Sequence, residues 1–329
     1  MDPVDVTAGE TAASEIAVVA SPAVRSRRRA RRSLAGWVQG GGLSALLFAL
    51  PMLVIFTAFS WYPIVRLVLL SFQETNLFDP PTWVGLENFR AVIEDPLFLT
   101  AVKNTAYFAA LALVFGYPIP LVAAVLVSES TRFRGLYGAL AYLPVVLPPV
   151  VGVLLWKYVF YEPSNIGLFN TALGWIGFGP YGWLQDPGTA MPALVVYSTW
   201  ANAGTTVIIY LAALTSVDRT LYEAASVDGA GLWRKIWHIT LPQIRGVMLV
   251  TLMLQIIGTA QVFLEPFLFT AGGPANSTLT VLLLIYQYAF GNSLGVGFGQ
   301  AAALSLMLAV FLAVFSVAFI RLTRSWSTR

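Results

Sequence analysis

The chain has 329 residues, 57% of them hydrophobic and 11% charged, with a net charge of +3. This is far more apolar than a soluble domain, so the chain reads as an integral membrane protein. It has no cysteine and a single histidine, His238, which excludes a disulfide framework, a thiolate or His-rich metal site and a cysteine nucleophile.

Residues 1–40 read as a disordered, basic, cytoplasmic tail. Residues 1–24 carry four acids and no base, and RSRRRARR follows at 25–32. Beside an apolar run, such arginines set orientation and meet anionic membrane lipid, so no nucleic-acid partner is expected. The run after them is too long for the core of a cleaved signal peptide and contains Pro51, so it reads as an uncleaved span.

Residues 41–329 read as one transmembrane domain. Six apolar stretches, at about 42–61, 105–128, 137–160, 190–214, 247–270 and 300–320, approach the roughly 20 residues that cross about 30 Å of hydrocarbon as a helix. Pro144, Pro148 and Pro149 predict a bend in the third. Leu279–Phe290 is apolar but too short to span, and reads as an external helix or re-entrant piece. Fifteen of the nineteen Lys and Arg residues fall on one side of this topology: six in the tail, Arg132 and Arg134, then Arg219, Arg234, Lys235 and Arg245, and lastly Arg321, Arg324 and Arg329. By the positive-inside rule both termini are cytoplasmic.

Polar groups within spans are costly unless they pair or face water. In the fourth span Ser198, Asn202 and Thr205 stand at i, i+4 and i+7, on one helical face. In the fifth, Gln255 and Thr259 stand at i and i+4, with Gln261 further along. Two such stripes line a path for a hydroxylated solute or, alternatively, hold helices together by hydrogen bonds. Tyr197, Trp200 and Tyr210 are candidates to stack on a sugar ring. Glu265, before Pro266, is expected to be solvated near the outer end of its span.

The connection at 215–245 is polar and cytoplasmic by charge, and contains EAASVDGAGLWRKIWHITLP at 223–242. It predicts two short helices: Asp218 caps the first, Gly229 ends it in the left-handed conformation, and Pro242 stops the second. Leu232, Trp233, Ile236, Trp237 and Ile239 make an apolar stripe in a loop that faces water, which calls for something to cover it. Nothing suggests that the chain is an enzyme. It has no GxSxG elbow, and none of its three lysines, Lys103, Lys157 and Lys235, completes a phosphate-binding loop, so any ATP is bound by another chain.

The pattern EAA-x2-DGA followed by I-x-LP, together with Trp83-Val-Gly-Leu-Glu-Asn-Phe89, Leu143-Pro144 through Pro148-Pro149, and Thr270-Ala-Gly-Gly-Pro274, resembles the maltose-type carbohydrate permeases of binding-protein-dependent ATP-binding-cassette (ABC) importers, in their six-span form. The likeness covers residues from about 40 to the C-terminus. It implies an all-α membrane protein of six transmembrane helices with a cytoplasmic EAA coupling-helix loop, the type I ABC importer permease. It also implies residence in the bacterial cell membrane, in a heteromeric complex with a second six-span permease subunit, a cytoplasmic nucleotide-binding ATPase dimer that holds the ATP and Mg, and an extracytoplasmic solute-binding protein. Coupling to the ATPase falls to Glu223, Ala224, Ala225, Asp228, Gly229, Ala230 and Pro242, with Glu223 facing an arginine of the ATPase. The polar stripes match positions at which the family contacts a small-molecule sugar. A glycerol-3-phosphate permease of the same family is the nearest alternative. An ATP-independent channel or secondary transporter ranks lower, for want of a buried charge cluster or inverted repeat.

Overall fold

A computed structural model describes residues 42–75, 80–130, 132–164, 166–291 and 297–327. The basic tail at 1–40 lies outside these residues. The chain divides into two compact units at Tyr62 and Pro63. The first contains helix α1 (Gly42–Phe56) and a π-helical turn, Thr57–Trp61.

Helix α2 (Tyr62–Leu70) starts at the boundary, and in the second unit two antiparallel strands of two residues each follow, β1 (Gln73–Glu74) and β2 (Thr82–Trp83), with Gln73 opposite Trp83. Helix α3 (Glu87–Glu94) leads into α4 (Pro96–Leu111), which passes through a π turn at Ala112–Gly116 into α5 (Pro118–Glu129). Helices α6 (Arg134–Val146) and α7 (Pro149–Leu155) come next, then a π turn at Trp156–Phe160 and the short α8 (Leu168–Gly174). The 29-residue α9 (Pro187–Thr215) precedes the loop helices α10 (Arg219–Val227) and α11 (Leu232–Lys235). Helices α12 (Leu241–Ala260), α13 (Leu264–Phe269), α14 (Val281–Phe290) and α15 (Phe298–Ser327) complete the chain.

Among the described residues, five helices are long and apolar enough to cross a membrane, and a bent pair makes a sixth. The bent pair is Gly135–Val146 with Pro149–Phe160, at 97°. Pro148 and Pro149 cannot donate backbone hydrogen bonds, so the helix ends at Val146 and restarts with Pro149 in its first turn. The apolar Val281–Phe290 is a ten-residue helix, about 15 Å long at 1.5 Å per residue and too short to span. It is buried through Val281, Leu283 and Leu284 against α4 and α15.

The sequence predicts that Pro242 stops the second loop helix; the structure continues through it. Helix α11 runs into a π turn, Ile236–Thr240, where the Leu241 amide reaches back five residues to the Ile236 carbonyl, and α12 follows with Pro242 in its first turn. The wider turn relieves the clash of a proline ring with the carbonyl four residues back, here His238. The same device carries α4 into α5, where Tyr117 donates to the Ala112 carbonyl at 2.8 Å just before Pro118.

Helix α9 is the hub, packing on α5, α6 and α12. Gly204 makes the α6 contact possible: a Cβ there would stand 2.4 Å from the Ala141 carbonyl oxygen. Small residues that let backbones approach are how membrane helices associate without a hydrophobic driving force. At the loop end, a core of Ala124, Val207, Tyr210, Val217 and Ile244 takes in Tyr222 and Ile239 from the connection.

Candidate functional site

Two regions collect the residues singled out from sequence. The first is the connection between α9 and α12. Asp218 caps α10 by accepting from the Thr220 amide at 2.9 Å, and this bond holds its carboxyl below the usual carboxylate range. Gly229 has φ +73, and the Ala230 amide closes the turn on the Ala225 carbonyl at 2.8 Å. Glu223, Ala224, Asp228 and Gly229 are exposed, and Ala225 and Ala230 half-buried. Asp228 stands at the C-terminal cap of α10, where the helix dipole gives a carboxylate no stabilisation. Pro242 is exposed in the first turn of α12, beyond the helix pair.

The helix pair is braced from inside. The Tyr222 hydroxyl pairs with Thr240 Oγ1 at 2.9 Å, and Lys235 Nζ donates to Ser226 Oγ at 2.8 Å. Its outer surface is apolar: Trp233 is 73% exposed, Trp237 64% and Val227 88%.

The second region is a cavity of about 590 Å3 between α9, α12 and the π turn after α4. Ser198, Asn202 and Thr205 line it from α9, and Gln255 and Thr259 from α12. Gln261 joins them from the break at 261–263, where α12 ends and the backbone turns before α13. The break is held open by a side chain far along the chain: Thr280 Oγ1 donates to the Val262 carbonyl at 2.9 Å. Irregular backbone at this depth is tolerated where it lines a cavity. All six polar residues picked from spacing thus share one cavity.

Asn202 and Thr259 bond within their own helices, while Ser198 of α9 lies against Glu265 of α13. Asn202 Nδ2 donates to the Ser198 carbonyl at 2.8 Å, and Thr259 Oγ1 to the Ile256 carbonyl at 3.0 Å. Neighbouring helices are tied where Tyr210 pairs with Thr251 at 2.7 Å and the Tyr117 hydroxyl donates to the Met248 carbonyl at 2.7 Å.

The expected stacking aromatics are not in the cavity. Tyr197 is buried with its hydroxyl on the Pro149 carbonyl at 3.2 Å, Tyr210 is consumed by Thr251, and Trp200 packs on Trp156 and Tyr197. Phe108 and Phe263 line the cavity instead. Sequence spacing already held a signal for one further residue: Thr251 stands four before Gln255 on the same face and also lines it. Glu265 departs from expectation as well. It is half-buried in the cavity wall beside Ser198, because the break after Ala260 redirects α13. Pro266 falls within the first turn of α13, where a missing amide costs nothing.

Residues 116–327 match the family described as binding-protein-dependent transport system inner membrane component. The lactose transport system permease protein LacF of Rhizobium radiobacter is 35% identical over 273 residues, covering 82% of this chain and 90% of that protein. The sn-glycerol-3-phosphate transport system permease protein UgpA of Pectobacterium atrosepticum is 33% identical over 267 residues, covering 80% and 88%. A solved chain from a bacterial ABC transporter involved in the import of the acidic polysaccharide alginate superposes with a TM-score of 0.76 at 28% identity, covering 88% of this chain and 98% of that one.

Proposed function

Because the chain belongs to the family of binding-protein-dependent transport system inner membrane components, we propose that it is the permease subunit of an ABC importer for a sugar. A second six-span permease completes the path, a solute-binding protein delivers the sugar from outside, and an ATPase dimer on the cytoplasmic face supplies the work. The EAA connection lies on the cytoplasmic side with both termini. There Glu223 and Asp228 offer charge, the three alanines allow close approach, and the exposed Trp233 fills a cleft of the ATPase. Closure of that cleft tilts the spans, since packed elements move as rigid units. The chain itself carries no catalytic step and no cofactor.

The cavity carries this reading. Five uncharged polar side chains from two helices, with Gln261 from the break, converge on about 590 Å3, within the roughly 300–1,000 Å3 of small-molecule sites. Hydroxyl and amide groups such as those of Asn202 and Thr259, whose bonds stay within their own helices, suit a solute presenting hydroxyls. The likeness to an sn-glycerol-3-phosphate permease favours a second reading, a polyol phosphate as cargo. The test is to purify the chain in mild detergent from its own cells and identify its companions by mass spectrometry. A nucleotide-binding subunit and a second permease are expected. A homo-oligomer with no ATPase would overturn the importer and favour an ATP-independent channel or secondary transporter.

A further inference from the structure

We propose that Glu265 makes the cavity a charge filter, admitting neutral or cationic hydroxylated solutes and rejecting anionic ones. The inference rests on reading the cavity as the solute path, and it narrows the cargo class. Among the described residues, Glu265 is the one ionisable side chain in the cavity wall, and no Lys, Arg or His lines it. Nor, among the described residues, does a salt bridge reach this carboxylate. Lys157 donates to the Leu268 carbonyl at 3.2 Å, three residues beyond Glu265 on α13, and does not itself line the cavity. The backbone amide of Glu265 and the Ser198 hydroxyl both stand against the carboxylate, whose two oxygens offer about four acceptor positions in all.

An ionised carboxylate on the cavity wall acts in two directions. It accepts charge-assisted hydrogen bonds from hydroxyl or ammonium groups, and it repels a phosphate, sulfonate or uronate brought to the same wall. Repulsion of the wrong solute is as much a source of specificity as attraction of the right one. The solved relative moves an acidic polysaccharide on the same fold, so fold does not set cargo charge; the wall does. On this account an anionic cargo, including the polyol phosphate of the second reading, is excluded from this half of the path.

The natural absence of cysteine allows a test that needs no known cargo. Gln261→Cys, in the assembled complex, places one thiol on the cavity wall. Its rates of modification by a cationic and an anionic methanethiosulfonate reagent are measured, each normalised to the same reagent on a free thiol. The cationic reagent is expected to be favoured by roughly tenfold or more, the size of effect from one charge about 10 Å away at an effective dielectric of about 20. Glu265→Gln in the same background brings the ratio close to one, whereas Glu265→Asp keeps it. A ratio near one with Glu265 present, or a bias that survives Glu265→Gln, overturns the filter. Asn202→Cys repeats the measurement from α9 should the first variant assemble poorly. ATP-dependent uptake is scored separately, so loss of the importer reading and loss of the charge bias are told apart.

Discussion

The two ends of the helix bundle differ in how their surfaces are satisfied. At the end away from the EAA connection, Asn170 is 2% exposed; its Oδ1 accepts from the Tyr181 amide and Trp183 Nε1 at 3.0 Å each, and its Nδ2 donates to the Tyr181 carbonyl at 3.0 Å. Trp156, Tyr161, Tyr197 and Phe269 pack there as one aromatic cluster, and Asn104 ties α4 to the 271–280 turn through the Asn276 and Leu279 carbonyls at 2.7 and 2.9 Å. The connection end holds its two helices by Tyr222–Thr240 and Lys235–Ser226 and leaves Val227, Trp233 and Trp237 in the open. The far end satisfies its buried amide fully, though Trp175, Ile176 and Phe178 stand open there at 83%, 67% and 56% exposure. The other presents a stiff, apolar and charged surface of the kind that marks an interaction site.

The contrast predicts that substitutions at the connection cost function and those at the far end cost stability. Glu223→Ala should lower ATP-dependent uptake more than tenfold while the chain inserts and melts as before, since removing one partner of a desolvated charge pair costs about 2–5 kcal/mol of binding. Unchanged uptake would sink the docking role. Asn170→Leu should do the opposite, leaving two buried donors unpaired at about 1–3 kcal/mol each, and should lower the melting temperature in detergent. Tyr210→Phe removes one bond between helices, worth about 0.6–1.7 kcal/mol in a membrane interior, and a smaller drop in melting temperature measures it.

The smallest effect belongs to Asp218. Because the Thr220 amide lowers its carboxyl below the ordinary range, the cap stabilises α10 above the unfolded carboxylate's pKa of about 4 and loses this as pH falls through the lower folded value. The helix content of wild type and Asp218→Ala, followed by circular dichroism, should therefore differ at neutral pH and converge in acid.

Local signals carried much of this to the reader of the sequence. The caps at Asp218 and Gly229 lie within a few residues of their partners, and the polar stripes are fixed by helical spacing alone, so both were legible. Where the outcome depended on contacts far along the chain, it was not. The hydroxyl of Tyr210 is claimed by Thr251, 41 residues on, which removes a candidate stacking ring. The break that turns Glu265 into the cavity is fixed by Thr280, 18 residues beyond Val262. Pro242 misled for a different reason: a proline at a helix junction reads as a stop unless the turn before it widens, and no residue pattern announced the π turn at Ile236–Thr240.

The most direct test of the central claim is site-specific photo-crosslinking in living cells, with a benzophenone amino acid at Trp233 and, as a control exposed within a span, at Val250. The docking account predicts an adduct of the Trp233 position with a nucleotide-binding subunit, lost or weakened by Glu223→Ala, and none from Val250. Adducts from Trp233 with lipid alone, in cells where that subunit is expressed, would contradict it.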